Sequence, residues 1–363
     1  MINSIELKNF KCFTHMQIPL SELTIFAGSN AAGKSTVIQA LLLADATARE
    51  KGSSVDVSAA LEIEAGNPQA LISQNRTETV QGDFFIKLQC DEKDISFIYM
   101  IDKLKTFKLS YEQAGESLSA RLFYLNAERT GPRISYPAGE DGTVLSNGAN
   151  AAFLIDRADM EQKKVPECLA IAGKNSKFSI QAESWMNAIL GDISISVSTD
   201  YVKAVTDIRY GNRMAEEPVL PAMTGFGISY ILSIVTAGLW CASEENAAEN
   251  TVFIVENPEA HLHPAAQSRM GKFLKILSGA GIQVIAETHS EHIIDGARIQ
   301  SALMNQTDSM RVLFFEKEEN DIRIDKISID KNGELSEWPK GFFDQKGQDL
   351  RELFQLRRKH ADS

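Results

Sequence analysis

The residues Gly28-Ser-Asn-Ala-Ala-Gly33-Lys34-Ser35-Thr36 have the types and spacing needed to hold a polyphosphate, matching GxxxxGK[ST]. In such a loop the backbone N–H groups around Asn30, Ala31, Ala32 and Gly33 point inward at phosphate oxygens. Lys34 reaches the β and γ oxygens, Ser35 ligates Mg²⁺, and Thr36 completes the motif at the start of a helix. The chemistry implied is binding of ATP with Mg²⁺. A second group lies far along the chain, where the apolar run Thr251-Val-Phe-Ile-Val255 ends in Glu256. A carboxylate delivered there can hold Mg²⁺ opposite Ser35, or it can simply cap a loop. A third is Glu287-Thr-His289-Ser290, which follows the run "IQVIA". A histidine in that position can donate to a γ-phosphate or orient an attacking water.

These groups share one site only if their elements meet at one sheet edge. "LTIFAG" reads as the strand before the phosphate loop, and "KSTVIQALLLADATA" as the helix after it, with Val37, Ile38, Leu41 and Leu42 at helical spacing. "TVFIVE", the helix "PAAQSRMGKFLKILSGAG" and "IQVIAETHS" then alternate as a parallel α/β sheet requires, and such sheets bind ligands at the carboxyl ends of their strands. From about Glu50 to Glu128 short β-like runs, including "DFFIKLQC", "ISFIYMI" and "RLFYLNA", alternate with polar turns and read as an antiparallel section. "AAFLIDRADM" and "AESWMNAIL" read as helices. "RVLFFEK" and "DIRIDKISID" suggest a closing strand and hairpin, and "DLRELFQLRRKH" a C-terminal amphipathic helix with a solvated basic face.

The boundaries that follow are a β and phosphate-loop lobe over 1–149, a helical lobe over 150–224, a core over 225–345 and a terminal helix over 346–363. All four belong to one composite unit of class α/β. Composition adds limits. A formal charge of −12 over 363 residues weighs against a surface-wide basic coat, while leaving room for a local basic groove. Cys12, Cys90, Cys168 and Cys241 form no CxxC pair, which fits a reducing cytoplasm. The N-terminus carries charge and no apolar run, so Met1 is expected to begin the mature chain. "FGISYILSIVTAGLWCA", Phe226 to Ala242, is long and uncharged enough to raise the question of a membrane, but its serines, threonine and glycines favour a buried core helix.

Together "IELKNFKCF…LTIFAGSNAAGKST", "GFGISYIL", "ENPEAHLHPAAQS" and "GIQVIAETHSEHII" resemble the ABC-class P-loop ATPase heads of three groups. These are the overcoming-lysogenization-defect (OLD) family, the structural-maintenance-of-chromosomes (SMC) proteins and the RecF-type repair ATPases. The chain is most similar to a bacterial group with ENPEAHLHP and a C-terminal segment like "EWPKGFFDQ", many of whose members are encoded in anti-phage defence operons. The resemblance implies an ABC-type head with an antiparallel β subdomain and a helical lobe. It implies that Gly225, Gly227 and Ser229 form the signature loop, which completes the nucleotide site of a second protomer in a head-to-tail, ATP-sandwiched dimer. Ala260 to Pro264 would cross between the two sites, and His261 and His263 would serve that interface sooner than a second metal. Arg129 and Arg133 also match, in a structural or nucleotide-sensing role.

In the broader class a carboxylate directly after the metal-binding acid polarises the attacking water, and here that position is Asn257. An amide orients water but cannot accept its proton, and general-base assistance is typically worth roughly 10²–10⁴ in rate. A slow ATPase is therefore expected, with Glu256 on the metal and either Glu259 or Asn257 handling the water. The segment from Glu291 to Ser363 is expected to be too short for the toprim nuclease domain of full-length OLD proteins, which suggests a separately encoded effector such as a nuclease. The leading expectation is a nucleotide-dependent switch or scaffold in a defence complex. A RecF-like repair ATPase acting directly on DNA is the alternative. A small-molecule kinase would leave Gly225 to Ser229 and Glu287 to Ser290 unused.

Overall fold

The computed structural model describes the chain except residues 64–66, 76–81, 92, 102–106, 117, 119, 140–142, 213–216, 244–250, 319–320, 340, 342–343 and 362–363, together with the side chains of 345–346 and 358–361. Much of the "PKGFFDQ" part of the C-terminal segment thus lies outside the described residues.

The centre of the molecule is a six-stranded sheet in the order β15-β14-β3-β13-β12-β8. Its strands are β3 (Leu23–Gly28), β8 (Arg121–Leu125), β12 (Thr251–Glu256), β13 (Gln283–Glu287), β14 (Met310–Lys317) and β15 (Ile322–Ile327). All neighbours run parallel except the β14–β15 hairpin. The inner strands β3, β12 and β13 are apolar and almost wholly buried because both faces of a parallel sheet are covered. Side chains alternate between two cores, as the two-residue period of a strand demands. Leu23, Ile25, Phe253, Val255, Val284 and Ala286 face one core, built with α3 (Ala151–Met160), α4 (Phe178–Leu190), α5 (Phe226–Ser243), α6 (Pro264–Gly279) and α7 (Glu291–Leu303). Phe26, Val252, Ile254 and Ile285 face the other, built with α1 (Lys34–Arg49) and a second sheet.

That second sheet is also six-stranded, in the order β2-β1-β5-β6-β7-β4. It comprises β1 (Ile2–Phe10), β2 (Phe13–Pro19), β4 (Ser54–Asp56), β5 (Phe84–Cys90), β6 (Lys93–Ile101) and β7 (Lys108–Gly115), all antiparallel. It packs on α1, with Phe84 stacked on Tyr99 at 4.7 Å between centroids. A short helix, α2 (Val57–Leu61), follows β4.

Two readings are corrected. "RLFYL" does not belong to the antiparallel section: it is β8, the parallel edge neighbour of β12, with Tyr124 opposite Ile254. Its short run carries no mark of its partner's direction, which depends on a segment far along the chain. The stretch 150–224, expected to be helical, holds α3 and α4 but also a hairpin, β10 (Ser194–Asp200) with β11 (Val205–Gly211), joined by the two-residue β9 (Tyr136–Pro137). The two helices are not a separate lobe, because their apolar faces share the core of α5 and β12.

Helix α5 is, among the described residues, the one helix long and apolar enough to cross a membrane, and 72% of it is buried inside the molecule. The C-terminal helix α8 (Gln345–Ala361) keeps Leu350, Leu353, Phe354 and Leu356 exposed.

Helices α6 and α7 approach backbone to backbone where Gly296 meets Ser268. A Cβ at Gly296 would lie 1.8 Å from the Ser268 carbonyl oxygen, and one at Gly271 would lie 2.1 Å from that of Ile293. Gly296→Ala is expected to lose about 2 kcal/mol, the upper end of the balance that follows, because the contact is with backbone. Alanine's helix propensity returns roughly 1 kcal/mol, but overpacking a rigid backbone contact costs about 1–3 kcal/mol. Urea denaturation checks it, and an unchanged midpoint would mean that the two helices can slide apart freely.

Candidate nucleotide site

The phosphate loop leaves β3 at Gly28 and enters α1 at Lys34. Ala31 and Gly33 both take positive φ, 58° and 94°, which turns the chain into a concave loop before the helix. Helix α1 has no side-chain cap at its N-terminus, so the amides of its first turn remain available to an anion. Lys34 is 3% exposed, and its Nζ donates to the carbonyls of Gly28 at 3.1 Å and Ser29 at 2.8 Å. Burial pulls its ammonium below the usual lysine range, with Glu287 acting in the opposite sense.

Glu256 ends β12 and Glu287 ends β13, directly opposite each other in register. Counting back by two, Glu256 shares the face of Ile254 and Glu287 that of Ile285, both facing the α1 core. The two acids therefore stand side by side under the phosphate loop. The serine hydroxyl of Ser35 donates to Glu287, 2.9 Å from Oε2 and 3.2 Å from Oε1. Lys34 Nζ lies 3.9 Å from the same carboxylate. Glu256 instead accepts a hydrogen bond from the Tyr124 hydroxyl of β8 at 3.0 Å. Burial, and then the charge of Glu256, push Glu287 up to about 7. Burial also raises Glu256, while it and the neighbouring Glu256 carry the Tyr124 phenol well above its ordinary value.

Glu287 is the residue that the sequence reading missed, although its segment had been singled out for His289. Tyr124 was missed as well, because its strand had been assigned to the wrong sheet.

The turn after β12 is held from three sides. Asn257 has φ 45°, and its N–H donates to the Glu287 carbonyl at 2.8 Å. Its Oδ1 is buried without a hydrogen-bond partner. Arg129, 3% exposed, donates to the carbonyls of Asn126 at 3.0 Å, Glu256 at 2.6 Å and Asn257 at 2.5 Å. Burial lowers its pKa to about 10. Arg133 is exposed on the surface. Glu259, considered for the water-handling role, has both oxygens engaged here: the Thr288 hydroxyl donates at 2.6 Å and the His289 N–H at 2.7 Å. It braces the segment that carries His289. The imidazole of His289 is at the surface, and burial together with Lys34 lowers its pKa.

The signature segment lies at the start of α5. Gly225 is exposed just before the helix, and Gly227 is half-buried in its first turn. Ser229 was expected to reach a nucleotide, but it is turned inward, 5% exposed, with its hydroxyl 3.4 Å from that of Tyr136. It falls on the core-facing side of α5, one turn from the buried Ser233. His261 packs against the start of the same helix, 5.3 Å from Phe226 and 4.9 Å from Tyr230 between ring centroids. His263 caps α6 by accepting from the Ala265 N–H. Among the described residues no group of three or more His, Cys, Asp or Glu is arranged to hold a metal ion. The donors that do converge beside the loop are a hydroxyl and two carboxylates, the hard oxygen set that suits Mg²⁺ shared with phosphate oxygens and unsuited to a closed zinc site.

Comparison with known proteins gives the family and the fold. The AAA ATPase domain family matches residues 1–184 and 154–294, and a family described as protein of unknown function (DUF3696) matches 306–353. The chain is 22% identical to an OLD nuclease of Thermus scotoductus over 90% of its own length and 66% of that protein's. It is 25% identical to the Old nuclease of Escherichia phage P2 over 54% and 32% respectively, so it spans less than two thirds of either relative. Among solved structures, an SMC head bound to the C-terminal winged-helix domain of ScpA superposes with a TM-score of 0.59 at 14% identity, covering 91% of this chain and 98% of that one. An SMC head with an extended coiled coil, bound to a ScpA domain derived from Pyrococcus furiosus, gives 0.55 at 12% identity, covering 98% and 99%. With the fold of an SMC head and sequence similarity to OLD nucleases, the chain belongs to the AAA ATPase domain family.

Proposed function

We propose that this protein binds ATP with Mg²⁺ through Gly28 to Thr36 and hydrolyses it slowly, as a nucleotide-dependent switch or scaffold in a bacterial anti-phage defence complex. The observation that carries the reading is Asn257. Its amide oxygen is buried and unpartnered, and it occupies the position that follows the strand-end acid beside the phosphate loop. It can orient a water molecule but cannot take the proton. Magnesium, when bound, supplies positive charge to phosphate oxygens, and Ser35 with the strand-end carboxylates would hold it. Lys34 would leave the carbonyls of Gly28 and Ser29 for the phosphates. Glu259 fixes the backbone of His289, which keeps the imidazole at the loop's edge.

The active unit on this reading is a head-to-tail dimer in the cytoplasm. The exposed Gly225 and Phe226, with His261 packed beside them, would face the partner's nucleotide. The nuclease activity that names the OLD relatives is assigned to a separately encoded effector.

Turnover below roughly 1 per second is expected, given ordinary turnover numbers and the missing base. ATP should also double the 40.0 kDa mass seen by light scattering, with no response to DNA. Strong stimulation by DNA would move the protein to direct DNA repair. Cleavage of DNA by the purified protein with Mg²⁺ would remove the separate effector.

A further inference from the structure

The identity of the acid that meets the cation is open to a closer reading, which rests on the ATP–Mg²⁺ proposal above. In the sheet order β3-β13-β12, Glu287 is on the strand next to the phosphate-loop strand, and Glu256 is one strand farther away. Adjacent strands lie about 4.8 Å apart, so the two carboxylates cannot be equivalent toward Ser35. Both oxygens of Glu287 lie within hydrogen-bond distance of the Ser35 hydroxyl, and Lys34 Nζ is the nearest cation. Glu256 is drawn the other way, to Tyr124 on β8. Glu287 is also only 6% exposed, so its charge has little help from water.

We propose that Glu287, and not Glu256, is the carboxylate that joins Ser35 in holding the divalent cation, while Glu256 stands behind it as an outer acid oriented by Tyr124. The buried Glu287 has Lys34 as its near cation and the partly buried Glu256 has Arg129, so a cation entering between Ser35 and Glu287 adds positive charge where two acids stand in register. The arrangement also gives the Glu-Thr-His-Ser segment two separate tasks. Its first residue faces the metal, and its third is held at the loop's edge through Glu259.

The test compares Mn²⁺-dependent nucleotide binding in wild type, Glu287→Gln, Glu287→Asp and Glu256→Gln. Affinity for a fluorescent ATP analogue is measured in excess EDTA and then in Mn²⁺, and bound Mn²⁺ is followed by its paramagnetic resonance signal. Each variant's ratio of the two affinities isolates the metal's contribution from that of the phosphate loop. Glu287→Gln is expected to reduce that ratio by more than roughly 100-fold, and Glu256→Gln by less, within the roughly 10–100-fold typical of an outer group. Glu287→Asp, which keeps the charge, should recover part of the ratio. An unchanged ratio in Glu287→Gln, or a larger loss in Glu256→Gln, overturns the assignment and leaves the nucleotide reading intact. Failure of the wild type to bind the analogue in either condition would sink the nucleotide reading itself, and the metal assignment with it.

Discussion

Lys34→Ala is expected to reduce ATP turnover by at least ~100-fold, the scale set by removing one preorganised donor from a developing negative charge. Apart from its 3.9 Å ion pair with Glu287, the side chain has little other work. Its ammonium is buried, its two carbonyl partners belong to the same loop, and burial already disfavours its charge. Removing it therefore relieves about as much desolvation as it loses in hydrogen bonding, so the fold should persist. The cleanest measurement is the thermal midpoint with and without ATP. At a ligand concentration of about 100 Kd the wild type gains about 2.7 kcal/mol of stability by mass action, and Lys34→Ala should gain none. A variant that keeps both the nucleotide-induced shift and its turnover would show that the loop does not hold phosphate through this residue.

How much of this site could be read in advance depends on how local each signal is. The phosphate loop was fully legible, because Gly28 to Thr36 carries its chemistry and its strand–turn–helix context within one contiguous stretch. Strands β12 and β13 were legible as apolar runs for the same reason. The lateral order of strands was not, since it depends on register between segments far apart in sequence. That is why β8 was put in the wrong sheet and Tyr124 was overlooked. Glu287 lies between these cases. The alternation that puts Ile285 and Glu287 on one face is visible in "IQVIAE", and the same holds for Ile254 and Glu256. Only the pairing of β12 with β13, however, brings the two acids level. The β10–β11 hairpin was also within reach, because Ile195 and Val197 alternate with Ser194, Ser196 and Ser198 at period two. Ser229 is a different case: a motif position says which loop is involved, whereas the side of the helix on which a residue falls decides whether its hydroxyl faces out, and in the single chain it faces Tyr136.

Arg129→Ala is expected to destabilise the protein by about 3 kcal/mol, the scale for removing one buried charged donor from several carbonyl oxygens. The guanidinium fits between three carbonyls, of Asn126, Glu256 and Asn257, with Tyr230 beneath it at 5.1 Å. Alanine would take this donor from all three oxygens, although that of Asn257 keeps the Ala260 N–H at 3.1 Å, and each oxygen left unpaired costs about 1–3 kcal/mol, partly offset because a charge no longer has to be desolvated. Two of the three carbonyls flank the point where the chain turns out of β12. The loss therefore falls on the geometry that aims Glu256 and Asn257, and activity should drop along with stability. Arg129→Lys separates the possibilities if the alanine variant does not fold. A lysine ammonium is a point charge that cannot span a planar fork of carbonyls, so it should recover less than half of the lost stability. Urea denaturation checks both variants. A nucleotide-sensing arginine would instead lose ATP response at an unchanged denaturation midpoint, and that result would move Arg129 from positioning the turn to contacting the ligand.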